Sequence, residues 1–330
     1  MIDYPERLNL AQTPTPFYLL ERLSEQLGGP RIWIKRDDLT GAATSGNKIR
    51  KLEFLLADAL ASGCDTVITS GGVQSNHCRA VAILGAQLGL KVHLLLRSDI
   101  EPEPVGNLLL DHLAGATISH YSVDEFRKLS KLFEEWQAHY AELGGKAYAI
   151  PTGGSNGTGM WGYVAAAEEL LQDFERHAIT PQAIVHATGS GGTQAGLMLG
   201  CYLHQINTCI KAYAVCDDSA YFARKVRQDL EQWQSQYSSQ TDISGLIADT
   251  CDAYVGPAYG VADEEIFDTI KQVAATEGIL LDPVYTAKAF FGMMEDIKQG
   301  KFSGQDSGDI VFLHTGGLFG LFAQQHRLGY

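Results

Sequence analysis

The sequence lacks any run of lysine and arginine, and its 39 acidic residues outnumber its 25 basic ones, which gives a formal net charge of -14. Nucleic-acid binding by phosphate neutralisation needs a basic surface from which counterions are released. The composition therefore argues against a nucleic-acid partner. A small anionic ligand is not excluded, because a phosphate can bind to backbone N–H groups inside an acidic protein.

Long apolar runs are also absent, and the longest are strand-sized, well short of the roughly 20 residues that cross a bilayer. Charges interrupt the first ten residues, where a signal peptide would be apolar. Cysteine is scarce and has no CxxC spacing, so the pattern predicts neither a metal site nor a disulfide framework. These absences predict a soluble cytoplasmic protein with no membrane partner. The six cysteines are Cys64, Cys78, Cys201, Cys209, Cys216 and Cys251.

Short apolar runs alternate with amphipathic segments, which predicts an α/β fold with largely parallel sheets flanked by helices. A length of 330 residues, at roughly 100–200 residues per domain, predicts two domains. The hydrophilic segment 224–241 predicts a solvated helix running into a loop, and the glycine-rich segment 151–162 predicts a hinge. Strands are predicted at 31–35, 66–69, 92–96, 117–120, 147–150, 183–186, 211–215 and 309–313. Helices are predicted at 51–61, 78–88, 124–143, 163–174, 193–205, 264–276 and 286–298.

Lys48 stands between a glycine turn and an amphipathic helix. A lysine at a helix start opposes the helix dipole, which is unusual for a merely solvated charge. A lysine that forms a Schiff base must be neutral, and the positive end of a helix lowers its pKa in that direction. The alternative is a surface lysine in a basic cluster with Arg50 and Lys51, and spacing alone leaves both interpretations open.

Three further polar or glycine-rich loops follow predicted strands, where ligands bind in open α/β sheets. Ser75, Asn76 and His77 could cap a helix or form a polar shelf for a ligand. Segment 187–196 lacks the sequence of a nucleotide P-loop or a dinucleotide fingerprint. Its small residues let backbone N–H groups converge on an anion, so it predicts a phosphate site. The last loop is His314-Thr315-Gly316-Gly317, after the C-terminal strand.

Read together and in order, these segments resemble the fold-type II pyridoxal-phosphate enzymes, and within them the D-cysteine desulfhydrase and 1-aminocyclopropane-1-carboxylate deaminase family. The resemblance runs nearly end to end. It implies a tryptophan synthase β-like fold, in which residues 1–50 and 161–330 form a large cofactor-binding domain and residues 51–160 a small one. It also implies a homodimer. The residues that carry it are Pro14-Thr15-Pro16, Lys35-Arg36-Asp37-Asp38, Gly46-Asn47-Lys48-Ile49-Arg50-Lys51-Leu52-Glu53 and His314-Thr315-Gly316-Gly317.

The resemblance assigns roles toward pyridoxal 5'-phosphate and a small amino-acid substrate. Lys48 is similar to the Schiff-base lysine, Asn76 to the partner of the ring hydroxyl, and Thr315 to the partner of the pyridine nitrogen. The phosphate loop would consist of Thr188, Gly189, Ser190, Gly191, Gly192 and Thr193. Residues that handle the substrate and its protons would be Ser75, His77, Tyr259 and Tyr285.

Thr286 and Thr315 guide the choice of reaction. The deaminase branch of the family that this chain resembles has Glu at the position of Thr286 and Leu at the position of Thr315. A carboxylate near the pyridine nitrogen keeps that nitrogen protonated. A neutral hydroxyl favours an unprotonated pyridine nitrogen, which is adequate when loss of the Cα proton is followed by departure of a thiolate. We therefore expect D-cysteine to give pyruvate, hydrogen sulfide and ammonia, with the deaminase and an L-cysteate sulfo-lyase as alternatives. A non-catalytic carrier of the cofactor is a different class, and it would need neither tyrosine.

Overall fold

The computed structural model describes residues 2–100, 102–302 and 308–329. Within them the chain alternates between strands and helices as an α/β protein does. The strands are β1 (Phe17–Leu19), β2 (Ile32–Lys35), β3 (Thr66–Gly72), β4 (Lys91–Arg97), β5 (Thr117–Tyr121), β6 (Ala147–Ala149), β7 (Ala183–Thr188), β8 (Cys209–Ala214), β9 (Asp249–Cys251) and β10 (Ile310–Leu313). The helices are α1 (Glu21–Leu27), α2 (Lys48–Ala61), α3 (Asn76–Gln87), α4 (Gly106–Leu113), α5 (Val123–Phe126), α6 (Leu129–Glu142), α7 (Trp161–His177), α8 (Gly192–Leu203), α9 (Ser219–Tyr237), α10 (Glu264–Glu277), α11 (Thr286–Lys298) and α12 (Leu318–Phe322).

The larger sheet has six strands in the order β1-β2-β10-β7-β8-β9, and all neighbours are parallel except β1 and β2. Alternate residues of each strand face opposite sides, and both sides are buried. Ile34 and Phe312 pack with α10 and α11, while Trp33 and Val311 pack with α7 and α8. Parallel sheets need such cover on both faces, which explains why their strands read as continuous apolar runs.

The smaller sheet has four parallel strands in the order β5-β4-β3-β6. Leu52, Leu55 and Leu56 of α2, together with α3, cover one face. Trp136 and neighbours on α6 pack against the other face. The strands of this sheet all fall within the predicted small domain and those of the larger sheet fall outside it. The domain boundaries themselves stay predictions.

Each predicted strand and helix has a counterpart in the structure, and α11 has the predicted bounds. The predicted helix 124–143 is wrong as a single helix. It is α5 and α6, because Lys128 leaves the helical conformation with φ -100° and ψ 30° between them. The elements β1, β9, α1, α4 and α12 were not predicted, and each is too short to show a clear period. The predicted hinge at 151–162 is a loop with a short 3-10 turn.

The predicted solvated helix within 224–241 is also corrected. It is part of α9, which begins five residues earlier at Ser219. Its inner face carries Phe222, Val226, Leu230 and Trp233, which are all buried. Spacings of three and four residues place these side chains on one stripe. The helix is therefore amphipathic, and only its outer face is hydrophilic.

Candidate active site

Two adjoining cavities of about 390 and 720 Å3 lie at the carboxyl ends of the strands, and Lys48 lines both of them. The first is also lined by predicted cofactor residues, and the second by predicted substrate residues. Of the residues predicted for the site, all but Gly192 and Thr286 line one cavity or the other. In the first are Asn76, Thr188, Gly189, Ser190, Gly191, Thr193, Tyr285 and Thr315. In the second are Ser75, His77, Gly189, Ser190, Tyr259 and Tyr285.

Lys48 is the first residue of α2. Burial lowers the pKa of its ammonium group to about 8, so a useful fraction of the side chain is neutral near neutral pH. Burial is the cause here, rather than the helix terminus that the sequence suggested. The alternative of a solvated basic cluster is wrong, because Lys48 is half-buried and Arg50 and Lys51 are buried.

Lys51 lies one helical turn from Lys48, so both face the same side of α2. Its Nζ donates to the carbonyl oxygen of Gly153 at 3.2 Å and to Ser155 Oγ at 3.3 Å. It forms no ion pair with any carboxylate of the described residues. Burial, and then the charge of Lys48, hold its pKa well below the usual range. A buried cation without a counter-ion is costly, and an anionic ligand beside it would remove that cost.

The predicted phosphate loop connects β7 to α8, and Gly191 turns the chain there with φ +80°. The N–H of Gly192 donates to Ser155 Oγ at 3.2 Å. A Cβ on Gly192 would lie 2.5 Å from that oxygen and 2.9 Å from Lys51 Nζ, so only glycine fits. Helix N-terminal N–H groups and the Lys51 ammonium group thus meet at one place. This arrangement suits a phosphate group.

Asn76 is oriented by its neighbours. Arg79 Nε, which can only donate, donates to Asn107 Oδ1 at 2.7 Å. Asn107 Nδ2 therefore faces two acceptors at 3.0 Å, the carbonyl oxygen of Gln74 and Asn76 Oδ1. Because Oδ1 of Asn76 is engaged, its Nδ2 is left to donate to a ligand in the cavity that it lines. A donor is what an ionised ring hydroxyl requires.

The tautomer of His77 follows in the same way. The hydroxyl of Thr69 donates to the carbonyl oxygen of Ile150 at 2.9 Å and lies 2.8 Å from His77 Nε2. Its one proton is used, so Nε2 must donate and Nδ1 is an acceptor. Nδ1 is buried without a partner among the described residues. Burial, then the charges of Lys48 and Lys51, keep the His77 pKa well below normal, so the ring is neutral.

The hydroxyl groups of Tyr259 and Tyr285 lie 2.6 Å apart, and both rings line the second cavity. Burial raises the pKa of Tyr259 to about 12. Burial and the neighbouring Tyr259 raise that of Tyr285 well above its usual value. Both phenols are therefore protonated at neutral pH, and one proton of the pair remains free to donate to a ligand.

Thr315 and Thr286 lie in different surroundings. Thr315 lines the first cavity. Thr286 is fully buried, donates to Asp282 Oδ1 at 2.8 Å and accepts from the Asp282 N–H at 2.8 Å. Its hydroxyl is thus engaged at the start of α11 and lines neither cavity.

Several residues of the site were not predicted from the sequence, and three of them bear on its chemistry. Asn47 lines the first cavity and donates from Nδ2 to Thr193 Oγ1 at 3.0 Å, which ties the Lys48 turn to the phosphate loop. Lys51 was passed over, although its spacing from Lys48 was a usable signal. Arg97 lines the second cavity. It ends β4, and residues at the carboxyl ends of parallel strands are where a ligand is expected.

In the described part of the chain, no helix is long and apolar enough to cross a membrane. The same residues bring no three His, Cys, Asp or Glu side chains together as metal ligands would be.

Comparison with known proteins agrees with this geometry. A family model described as pyridoxal-phosphate dependent enzyme matches residues 8–316. The chain is 39% identical to a bifunctional D-cysteine desulfhydrase/1-aminocyclopropane-1-carboxylate deaminase of Arabidopsis thaliana, over 95% of this chain and 79% of the relative. It is 40% identical to a D-cysteine desulfhydrase of Serratia proteamaculans, over 96% and 95%.

The solved structure of an ACC deaminase homologue superposes with a TM-score of 0.89 at 36% identity, covering 98% of this chain and 95% of the other. The phosphate cradle, the neutralisable lysine and the oriented amide donor all fit the cofactor that the family uses. The chain therefore belongs to the family of pyridoxal-phosphate dependent enzymes, of fold-type II, and its cofactor is pyridoxal 5'-phosphate.

Proposed function

We propose that the protein catalyses β-elimination on a small amino acid, with D-cysteine giving pyruvate, hydrogen sulfide and ammonia as the leading reaction. The observation that carries this proposal is the position of Lys48. Its pKa is lowered to about 8 and it lines both cavities, between the phosphate cradle and the tyrosine pair. A carrier of the cofactor would need the lysine and the cradle but no second cavity with paired phenols.

The residues that would hold the cofactor line the first cavity or, like Gly192 and Lys51, belong to its phosphate loop or lie beside it. Residues 188–193 and Lys51 would bind its phosphate, Asn76 Nδ2 its ring hydroxyl, and Thr315 its pyridine nitrogen. When bound, pyridoxal 5'-phosphate withdraws electron density from the α-carbon of an attached amino acid. A neutral hydroxyl beside the ring nitrogen leaves that nitrogen unprotonated, so the ring withdraws electrons less strongly than a protonated one would. Such a ring suits a substrate with a good leaving group.

Proton transfer would be the work of residues at the border of the two cavities. Neutral Lys48 would accept the α-proton at Nζ. The Tyr259–Tyr285 pair, with one free O–H, would donate to the departing β-substituent. Ser75 and the backbone at the start of α3 would bind the substrate carboxylate, since Ser75 caps that helix and lines the second cavity. His77 would accept a hydrogen bond at Nδ1.

Ring opening of 1-aminocyclopropane-1-carboxylate is the second candidate, and the name of the Arabidopsis relative includes both activities. It needs a stronger electron sink, because no thiolate leaves. Thr286 and Thr315 offer no carboxylate to the ring nitrogen, and this favours desulfhydration. L-cysteate would use the same elimination with sulfite as the leaving group.

We further propose a homodimer in the cytoplasm. Large apolar side chains stand exposed on α4 and α12, including Leu113 at 73% and Phe322 at 55% exposure. A second copy would cover them. Light scattering that gives the mass of a single 35.9 kDa chain would oppose the dimer.

The test has two parts. Borohydride reduction of the yellow holoenzyme followed by peptide mapping is expected to place the cofactor on Lys48. An adduct on Lys35 or Lys51, or none, would contradict the site. Keto acid and sulfide are then assayed with D- and L-cysteine, L-cysteate, β-chloro-D-alanine and aminocyclopropane carboxylate. Faster ring opening than desulfhydration would replace the leading reaction with the second candidate, and no product from any would reject both.

A further inference from the structure

Arg97 is a cation of the second cavity that the proposed chemistry does not use. It is the last residue of β4 and lines the cavity together with Lys48 and the tyrosine pair. Its guanidinium carbon lies 5.8 Å from the ring centroid of Phe126 and 5.7 Å from that of Tyr259. Aromatic faces hold a guanidinium group in place by cation–π attraction without consuming its N–H donors.

Those donors have no acceptor in the described residues, to which Arg97 makes no side-chain hydrogen bond or ion pair. The other arginines near the site behave differently. Arg50 is paired with Asp37 and Glu169, and Arg79 donates to Asn107 and to backbone carbonyl oxygens. Arg97 is thus fixed in position, half-buried, and still able to bind a ligand through several N–H groups.

The charge of the cavity agrees with an anionic ligand. Lys48 and Arg97 are its basic residues, while His77 is kept neutral by its lowered pKa. The one carboxylate among the lining residues is that of Asp217, which is exposed and forms no ion pair with Arg97. Water screens an exposed charge strongly, so inside the cavity the field is positive even though the whole chain carries -14.

We infer that Arg97 is a specificity-determining residue that binds the β-substituent of the substrate as an anion. The inference rests on the proposed β-elimination and narrows its substrates to amino acids whose β-substituent carries negative charge and can leave with an electron pair, such as a thiolate or sulfonate. In the elimination the Cα–H proton goes to Lys48, a Cα–Cβ double bond forms, and the Cβ–substituent electron pair leaves with the substituent. A sulfonate would leave as sulfite, and a thiolate would take a proton from the Tyr259–Tyr285 pair and leave as hydrosulfide. Arg97 would hold that group by bidentate N–H donation before and after cleavage.

A matched pair of ligands tests this binding without turnover. Aspartate and asparagine differ in the charge of the β-substituent and hardly in size. Both enantiomers of each are titrated into the holoenzyme, and dissociation constants are read from the change in cofactor absorbance. We expect wild type to prefer aspartate by about tenfold or more, as a charge-assisted bidentate contact allows. In Arg97→Gln the preference should fall to about twofold or less, with little change for asparagine.

Two further variants control the experiment. Arg97→Lys keeps the charge without the planar fork and should give an intermediate preference. Lys91→Gln removes one charge from the opposite end of the same strand, where the side chain is 71% exposed, and should leave the preference unchanged. If Arg97→Gln weakens both ligands equally, Arg97 binds the α-carboxylate or only shapes the cavity, and the inference is wrong. Equal affinity of wild type for both ligands, or no binding of either, would also overturn it.

The same variants separate this inference from the proposed function. Turnover of L-cysteate and β-chloro-D-alanine is compared, and Arg97→Gln should lower kcat/KM for cysteate selectively. Absence of elimination from every amino acid would reject the proposed function, whereas the ligand titration would still report on Arg97. Elimination that continues in Arg97→Gln with an unaltered preference for charged substrates would reject the inference alone.

Discussion

Two groups of buried or half-buried cations meet at the first turn of α2, and they differ in their partners. Arg50 donates to both oxygens of Asp37 at 2.8 Å and to Glu169 at 3.0 Å. Beside it Lys35 contacts Asp173 and Glu169, each at 2.5 Å. Lys48 and Lys51, on the neighbouring face of the same helix, have no carboxylate partner in the described residues.

The difference separates a structural charge from a functional one. Arg50 and Lys35 form ion pairs with carboxylates, and the network joins α2 to α7 and to the end of β2. Burial lowers the pKa values of the two site lysines, and no carboxylate of the described residues forms an ion pair with either. A buried charge that lacks a protein counter-ion costs stability, and its retention is explained by an anionic ligand. Arg97, half-buried at the other end of the site, likewise has no carboxylate partner among the described residues.

Removal of one member of the paired group should have the largest effect. Arg50→Met leaves Asp37 buried without its guanidinium partner, and breaking a buried ion pair costs about 3–5 kcal/mol. Urea unfolding of the apo-protein measures the loss of stability. Arg31→Met is the matched control, because Arg31 pairs with Asp309 while 56% exposed, and such surface pairs contribute about 0–1 kcal/mol. Similar losses in both variants would contradict the structural role.

Removal of Lys51, a buried lysine without a carboxylate partner among the described residues, should not lower the stability of the apo-protein. Lys51→Met takes away a buried cation without orphaning a carboxylate, so the apo-protein should be as stable as wild type or more stable. Cofactor affinity should fall by about 30-fold to 100-fold, since a charge-assisted contact to the phosphate contributes roughly 2–3 kcal/mol. Fluorescence titration of apo-protein with pyridoxal phosphate measures this.

The outcome for Lys51 has a clear control. Lys131→Met alters an exposed lysine that forms only a surface pair with Glu135. It should change neither the stability of the apo-protein nor its affinity for pyridoxal phosphate. A Lys51→Met protein that loses stability but retains full affinity for the cofactor would place Lys51 in the structural group.

The smallest expected effect is the pH dependence of Lys48. Its folded pKa of about 8 lies below the ordinary lysine value of 10.5, and only the neutral amine reacts with an aldehyde. The rate at which apo-protein takes up pyridoxal phosphate should therefore rise with pH and level off above about pH 8. Stopped-flow absorbance measures the rate, and binding of 4-deoxypyridoxine phosphate, which has no aldehyde, corrects for titration of the phosphate. A midpoint near the ordinary lysine value would contradict a desolvated Lys48.

The sequence predicts those strands and helices that show a regular spacing of apolar residues. Buried parallel strands read as β-branched apolar runs, and α11 shows its full helical stripe. The elements that escaped prediction are short, such as β1 with three residues paired antiparallel to β2. Their existence is decided by partners distant in sequence, and no local pattern records that.

The same limit applies to the site. The order of the loops led to Lys48 and to the tyrosines, which the fold brings together although 211 residues separate Lys48 from Tyr259 in the numbering of the sequence. The roles of Lys51 and Arg97 depend on the lack of an ion pair with any carboxylate of the described residues, which only three-dimensional packing reveals. The orientation of Asn76 likewise depends on Arg79 and Asn107, through a chain of donors and acceptors that no spacing predicts.

The place of β10 in the larger sheet has a consequence for synthesis of the protein on the ribosome. All strands of the smaller sheet have been made by residue 149, so that sheet has its full set of strands early. In the larger sheet β2 and β7 do not touch each other, because β10 lies between them and is formed by residues 310–313. Strand β10, which connects β2 to β7 in the sheet, is also followed closely in the sequence by Thr315 of the site. A nascent or truncated chain that ends before this strand would hold two unpaired strand edges and would lack Thr315 of the site, so we expect the cofactor to bind only after β10 has been made.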